Sequence, residues 1–197
     1  ENAVIAAWWD YGYWIQTMAE RASLVDNSTI HTFVIENMAR MLLSPPDDSW
    51  NILKEMDADY VVVYLSPQKI NDKLEDKLYV LGGGGDESKV YWFAQIAEFP
   101  VEKYLYSDWS SGTNYLNEQT MLGKMIPFTT VVYYNPITQE NSSIYKPGFV
   151  EIFRKDIKYD SDSDPLKLVY ASPSFMNEKQ GPMQVVLVYE VNKNYIP

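Results

Sequence analysis

The 197-residue sequence contains no cysteine. That single absence excludes disulfides, thiol nucleophiles and zinc clusters of the Cys type. Histidine occurs once, as His31, so no His-rich metal site can be assembled, and one His in an apolar stretch reads as structural. Basic residues are few, 16 Lys and Arg against 27 Asp and Glu, for a net charge of −11. With no basic patch to release counterions from phosphates, nucleic acid is excluded as a partner. No apolar run approaches the ~20 residues that span a bilayer. The chain opens on Glu1-Asn2 without a basic-then-apolar leader pattern.

What the chain does have is apolar and aromatic mass: 46% hydrophobic and 15% aromatic residues, with sixteen Tyr and six Trp. That rules out a disordered acidic tail and suffices for one or two compact units. Aromatics at this density suit carbohydrate or peptide contact and equally suit an ordinary core.

The first half predicts helices around short strands. Ala3 to Trp9 suits a buried strand broken by Gly12, and Ile15, Met18, Ala19 and Ala22 follow a helical spacing over about Tyr13 to Ala22. After a turn at Asp26-Asn27-Ser28-Thr29, a helix capped by Thr29 or Thr32 runs to Leu43 and stops before Pro45-Pro46. Asp47 and Asp48 start another, ending near Met56, and Tyr60 to Leu65 is a buried parallel-type strand. Alternating charges over Leu65 to Leu81 suggest a solvated helix or mobile loop. Gly82 to Gly85 reads as a tether or hinge, since neither phosphate-binding glycine pattern is satisfied. A helix is expected from Asp86 to Ala97, and a short amphipathic one from Tyr115 to Leu122.

Thereafter strand-rich segments (Phe128 to Tyr134, Phe149 to Phe153, Leu166 to Tyr170, Val185 to Tyr189) alternate with turn clusters at Asn135-Pro136, Lys146-Pro147-Gly148 and Gln180-Gly181-Pro182. These predict an antiparallel sheet, in the form of a small sandwich or barrel. The fold class expected is α+β: a mixed core over residues 1–125 and a β-rich part over 126–197 packed on it.

Trp8-Trp9-Asp10-Tyr11-Gly12 carries the chemistry. Each indole offers one N–H donor, and an ionised Asp offers only acceptors. Together they can satisfy both sides of a hydroxyl group. Asp86 and Lys89 lie three apart, so on a helix they share a face and can pair, an arrangement that by itself is more often a surface ion pair.

The pentapeptide resembles the W-W-D-Y-G signature of oligosaccharyltransferase catalytic subunits, the membrane enzymes of asparagine-linked glycosylation. Three further segments are similar in order: Ala19 to Asn27 with its Leu-Val-Asp-Asn end, Leu53 to Val63, and Asp86-Glu87-Ser88-Lys89, which resembles the D-x-x-K motif of archaeal and eukaryotic members. They cover about the first half of the chain. The resemblance implies a C-terminal globular domain of an archaeal-type enzyme, placed on the extracytoplasmic face, that follows an N-terminal transmembrane domain. It implies that Trp8, Trp9, Asp10, Tyr11, Asp86, Lys89 and Phe93 read the Ser/Thr of an acceptor polypeptide carrying Asn-x-Ser/Thr. Phe93 stands where the family often has Met or Ile to meet the methyl of Thr; its larger, stiffer ring is expected either to reshape the pocket or to leave that contact to Ile96. The resemblance further implies that Mn²⁺ or Mg²⁺ and the dolichyl-phosphate-type lipid-linked oligosaccharide are held by the membrane domain. No metal, cofactor or catalytic residue is therefore expected in this chain, and no transferase activity from it alone.

Asp47-Asp48 and Asp160 to Asp164 lack the glycine and distal Glu of a calcium loop and read as solvated acids. Two acceptor triplets belong to the chain itself. Asn27 in Asn27-Ser28-Thr29 is expected to be structural, and Asn141, in a turn, is the better glycan acceptor. The rival reading is a non-catalytic extracellular domain that binds carbohydrate or peptide on the exposed aromatics of the second half.

Overall fold

The computed structural model describes residues 2–70, 78–177 and 181–197. The chain enters as β1 (Val4–Ala7), makes one 3-10 turn over Trp9–Tyr11 and continues as α1 (Gly12–Thr17). The helix is shorter than its spacing suggests. Glu20 takes φ 53°, and Ala22–Ser23 peels off as β2 to pair parallel with β1, so strand pairing overrides the local pattern. Next come α2 (Thr32–Leu43) and α3 (Pro46–Glu55), the latter opening on a proline whose missing N–H costs nothing at that position.

Strand β3 (Tyr60–Leu65) follows as expected, parallel to β1 but antiparallel to a strand from the far end of the chain. The segment expected to be helix or loop holds a hairpin, β4 (Pro67–Ile70) and β5 (Leu78–Leu81). The charges at 71–77 that suggested a solvated element lie outside the described residues, as does Gln180. Asp86 to Ala97 divides into a 3-10 turn (Asp86–Ser88) and α4 (Val90–Ile96). The amphipathic stretch is two short helices, α5 (Asn114–Gln119) and α6 (Met121–Met125), each capped by a threonine hydroxyl, Thr113 and Thr120.

The remaining elements are β6 (Phe128–Tyr134), β7 (Asn141–Ser142), β8 (Val150–Lys155), β9 (Leu166–Ala171), α7 (Pro173–Met176), β10 (Gly181–Pro182) and β11 (Val185–Val191). Asn141 thus sits on a short edge strand and not in a turn. The β-rich segments do not form a sheet of their own. One sheet runs β2-β1-β3-β11-β9 and the other β10-β4-β5-β8-β6-β7, so each takes strands from both sides of residue 125. The architecture is α+β, with helices packed about two sheets.

Alternation along β3 sets the layers. Val61, Val63 and Leu65 are fully buried in the main core, which also holds Met38, Met41 and Leu42 of α2 and Trp50 and Leu53 of α3. The opposite face, with Val62 and Tyr60, meets Ile5, Ala7 and Ile15 beneath α1. Ser66 is the corner at which the chain leaves the first sheet for the second.

Candidate functional site

The site forms where β1 ends. Strand β1 covers the edge of β3 only as far as Val62, the partner of Ala7. Beyond that the N–H of Tyr64 has no strand opposite it, and a buried N–H without an acceptor is costly. Asp86 fills the gap: its Oδ2 accepts from Tyr64 N at 2.9 Å. Its neighbour Glu87 does the same for Ser66 N, at 3.0 Å. Two consecutive carboxylates therefore continue the pairing that β1 abandons.

Gly85 makes the approach possible. A Cβ there would lie 2.6 Å from both the Tyr64 carbonyl oxygen and Leu65 Cα. The expected tether is in this respect a tight contact, with only Gly83 of the run at positive φ (91°).

Asp86 is 2% exposed, and burial pushes its carboxyl upward against the charge of Lys89 and the bonds it accepts. The 3-10 turn eclipses residues three apart, which brings Lys89 Nζ to 3.3 Å from Asp86 Oδ1. The same ammonium reaches Asp10 Oδ2 at 2.7 Å and the Tyr11 hydroxyl oxygen at 2.8 Å. All three of its N–H donors are thereby used. The Tyr11 hydroxyl donates in turn to Asp86 Oδ1 at 2.8 Å. Burial first, then the adjacent Asp86, pushes the Tyr11 phenol far up, so it stays protonated and the direction of that bond is fixed. The D-x-x-K pair is thus not a surface ion pair. It bolts the W-W-D-Y-G turn to the edge of β3.

Upstream, Trp8 is 3% exposed and Trp9 half-buried. Their rings stack at 4.2 Å, and Trp8 stands edge-on to Phe93 at 4.5 Å. Phe93 is fully buried, so its ring faces Trp8 from within the core. Ile96 is partly buried against the same core. Neither indole N–H has a protein acceptor among the described residues, nor does Asp10 Oδ1 have a donor. The geometry leaves the N–H donors of two stacked indoles and one oxygen of the adjoining Asp10 without a protein partner among the described residues.

Gly12 explains why Leu24-Val25-Asp26-Asn27 accompanies the pentapeptide. A Cβ on Gly12 would lie 2.2 Å from the Val25 carbonyl oxygen and 2.5 Å from Asp26 Cα. Asn27, beside them, accepts from Tyr13 N at 3.4 Å and donates to the Asp10 carbonyl at 3.5 Å, long bonds that still tie it to the turn. Sequence reasoning missed Tyr64, which contributes through its backbone, and Glu87, which no spacing rule marks.

Among the described residues no group of three or more His, Cys, Asp or Glu is placed to hold a metal ion. Asp10 and Asp86 already share a cation, Lys89, and do not fit one.

Residues 1–80 match the STT3/PglB/AglB core domain. This part of the chain belongs to that family. The yeast dolichyl-diphosphooligosaccharide–protein glycosyltransferase subunit STT3 is 39% identical over 99 residues, which is 50% of this chain and 12% of the yeast protein. The STT3B subunit of Arabidopsis thaliana is 40% identical over 105 residues, 52% of this chain and 13% of that protein. The rice STT3B subunit is 30% identical over 169 residues, 80% of this chain and 21% of that protein. The chain spans about an eighth of the yeast and Arabidopsis relatives it matches. Among solved structures it is similar to the C-terminal globular domain of an Archaeoglobus fulgidus oligosaccharyltransferase, with 20% identity and a TM-score of 0.42 over 79% of this chain and 85% of that one. A second A. fulgidus oligosaccharyltransferase, tethered to an acceptor peptide containing an NVT sequon, aligns at 16% identity with a TM-score of 0.46, over 90% of this chain and 20% of that one.

Proposed function

We propose that this STT3-family chain recognises the Ser or Thr hydroxyl of an Asn-x-Ser/Thr acceptor as part of an oligosaccharyltransferase. The observation that carries the reading is the open set at the end of β1: two stacked indoles with unclaimed N–H groups, beside a carboxylate whose free oxygen is held in place by Lys89. Asp10 Oδ1 accepts the hydroxyl proton, and an indole N–H donates to the hydroxyl oxygen. Tyr11, Asp86 and Lys89 orient Asp10, and Phe93 seats Trp8. A site built to hydrogen-bond a hydroxyl rejects an analogue lacking it by roughly 10⁴-fold or more, because its polar groups are left unpaired.

On this reading the transfer itself belongs to the larger glycosyltransferase. Its membrane portion, on the extracytoplasmic side, holds the Mn²⁺ or Mg²⁺ and the lipid-linked oligosaccharide of the dolichyl-phosphate type, and the chain alone transfers nothing. No helix among the described residues is long and apolar enough to cross a membrane.

The test is an NMR titration of the indole N–H signals with an Asn-x-Thr peptide and with the same peptide carrying Ala for Thr. Shifts at Trp8 and Trp9 that require Thr and vanish in Asp10→Ala are expected. Equal responses to both peptides would sink hydroxyl reading by this chain.

A further inference from the structure

The second sheet holds a buried acid that the hydroxyl site does not use. Glu151, on β8, is 8% exposed. Its Oε1 accepts from Asn117 Nδ2 at 3.3 Å and from the Thr130 hydroxyl. Oε2 has no hydrogen-bond partner among the described residues, and it is not sealed off as the Glu87, Tyr145 and Tyr159 oxygens are. The side chain lines a cavity of about 370 Å³ between β8 and the loop 105–112. That volume lies within the range of small-molecule sites.

The rest of the lining narrows the occupant. Its walls are largely apolar, with Leu81, Val90, Leu116 and Phe153 among them. A purely apolar guest would leave the free oxygen of Glu151 unpaired, which is costly. An anion is refused, because among the described residues no Lys or Arg lines the cavity and three carboxylates do, those of Glu87, Asp108 and Glu151. A cation would find few carboxylate oxygens free to bind it directly. Asp108 has both oxygens committed: Oδ1 to the N–H groups of Ser110 and Ser111, Oδ2 to the Ser111 hydroxyl. Glu87 spends Oε1 on Ser66 N, and its Oε2 is shut away. One free carboxylate oxygen replaces little of the water shell that a buried ammonium group gives up.

A neutral ring with hydroxyl groups on its edge and C–H groups on its faces meets every condition. Its hydroxyls pair with Glu151 Oε2 and with Asn117 Oδ1, another oxygen without a partner among the described residues. Its faces meet the apolar walls. Trp109, in the loop over the cavity, stands edge-on to Tyr91 and is 54% exposed, which leaves much of an indole available for stacking. We infer that the cavity between β8 and the loop 105–112 binds a saccharide unit, with Glu151 and Asn117 as its hydroxyl partners and Trp109 as its stacking surface. Burial pushes the Glu151 carboxyl up to about 7, so near neutral pH it can donate to or accept from a hydroxyl. The inference does not rest on the acceptor-peptide reading, and the two sites share none of these side chains.

The experiment follows the Trp109 indole N–H signal of the chain during titration with methyl glucoside, methyl mannoside, methyl galactoside and N-acetylglucosamine, and separately with butylammonium chloride. At least one saccharide is expected to bind with millimolar affinity, weakened about tenfold or more in Glu151→Leu and in Trp109→Ala. Glu151→Gln, which keeps the shape and the bonds to Asn117 and Thr130, is the control for folding and is expected to retain part of the affinity. No response to any of the four sugars overturns the inference. So does stronger binding of butylammonium, which would make the cavity a cation site, or saccharide binding unaffected by the Leu and Ala variants. A failure here leaves the Thr-dependent shifts at Trp8 and Trp9 untouched.

Discussion

The clusters at Lys89 and at Glu151 both withdraw carboxylates from water, by opposite means. Around Lys89 the buried polar groups of Asp86 and Tyr11 are matched: three acceptors for three N–H donors, a backbone N–H for the second oxygen of Asp86, a fixed proton on Tyr11. Such a network is rigid and holds Asp10 in one pose. Glu151 has hydroxyl and amide donors on one oxygen and, among the described residues, no cation paired with it, so burial outweighs the bonds it accepts. The first arrangement spends its charge on positioning a neighbour. The second keeps an acid near its titration point with one oxygen open to a cavity. The comparison teaches that burial of an acid signals a site in two ways, by what it anchors or by what it leaves unpaired.

The largest effect on this contrast should come from Lys89→Met, which strips Asp86 of its cation. A loss of about 3–5 kcal/mol at neutral pH is expected, as for breaking one side of a buried pair. Without Lys89 the folded pKa of Asp86 rises further above its unfolded value. The stability of the variant is then retained at low pH and lost as pH rises through that folded pKa. Urea unfolding at pH 5 and pH 7 should show the deficit growing with pH; an equal deficit at both would exclude the uncompensated Asp86 charge as its source.

Gly12→Ala should cost about 2–3 kcal/mol, since φ −56° suits alanine and the penalty is pure overlap with Val25 and Asp26. Thermal unfolding measures it. A neutral result would mean that the 22–27 segment yields, and that the bond between the two sequence motifs is loose.

Glu151 makes a pH prediction of its own, with Asp108 as the other carboxylate acting on it. Its folded pKa of about 7 lies above the ordinary 4.5. The contribution to stability is fully present below pH 4.5 and is lost as pH rises through 7, about 3 kcal/mol at most. Glu151→Gln should flatten the stability profile over that window. An unchanged slope would place the titrating group elsewhere.

The smallest effect is expected from Phe93→Met, under about 1.5 kcal/mol, because Met fills irregular space well. Its readout is local: the Trp8 indole N–H signal should move, and the Glu151 profile should not. A Trp8 signal that stays in place would deny Phe93 its role as a seat.

The first site was legible because its chemistry is compact in sequence. Trp8 to Gly12 and Asp86 to Lys89 are short segments whose residue types state what they offer, and one 3-10 turn in each sets the side chains. Their meeting was not legible. Asp86 reaches Tyr64 through a gap that exists only because β1 stops at Ala7 while β3 continues. The Glu151 cavity was wholly silent, since Asn117, Thr130 and Trp109 come from separate elements and carry no spacing.

The same division runs through the fold. Tyr60 to Leu65, Val185 to Tyr189 (which the structure extends to Val191) and the helix ending at Leu43 follow from local pattern, because β-branched runs and a 3.6-residue apolar stripe need no distant partner to be recognised. Which strands pair is decided by contacts across more than a hundred residues, such as Val63 with Leu187. That is why the β-rich segments join two sheets that cross the expected boundary near residue 125. By itself the sequence determined the elements with a strong local pattern, such as β3, α2 and β11, together with the family resemblance and the side chains that can offer hydrogen bonds to a hydroxyl. Only the tertiary structure decided which N–H was left for Asp86, because that is set by where β1 ends, and which oxygen of Glu151 stayed open, because that is set by how a loop and a helix pack on β8.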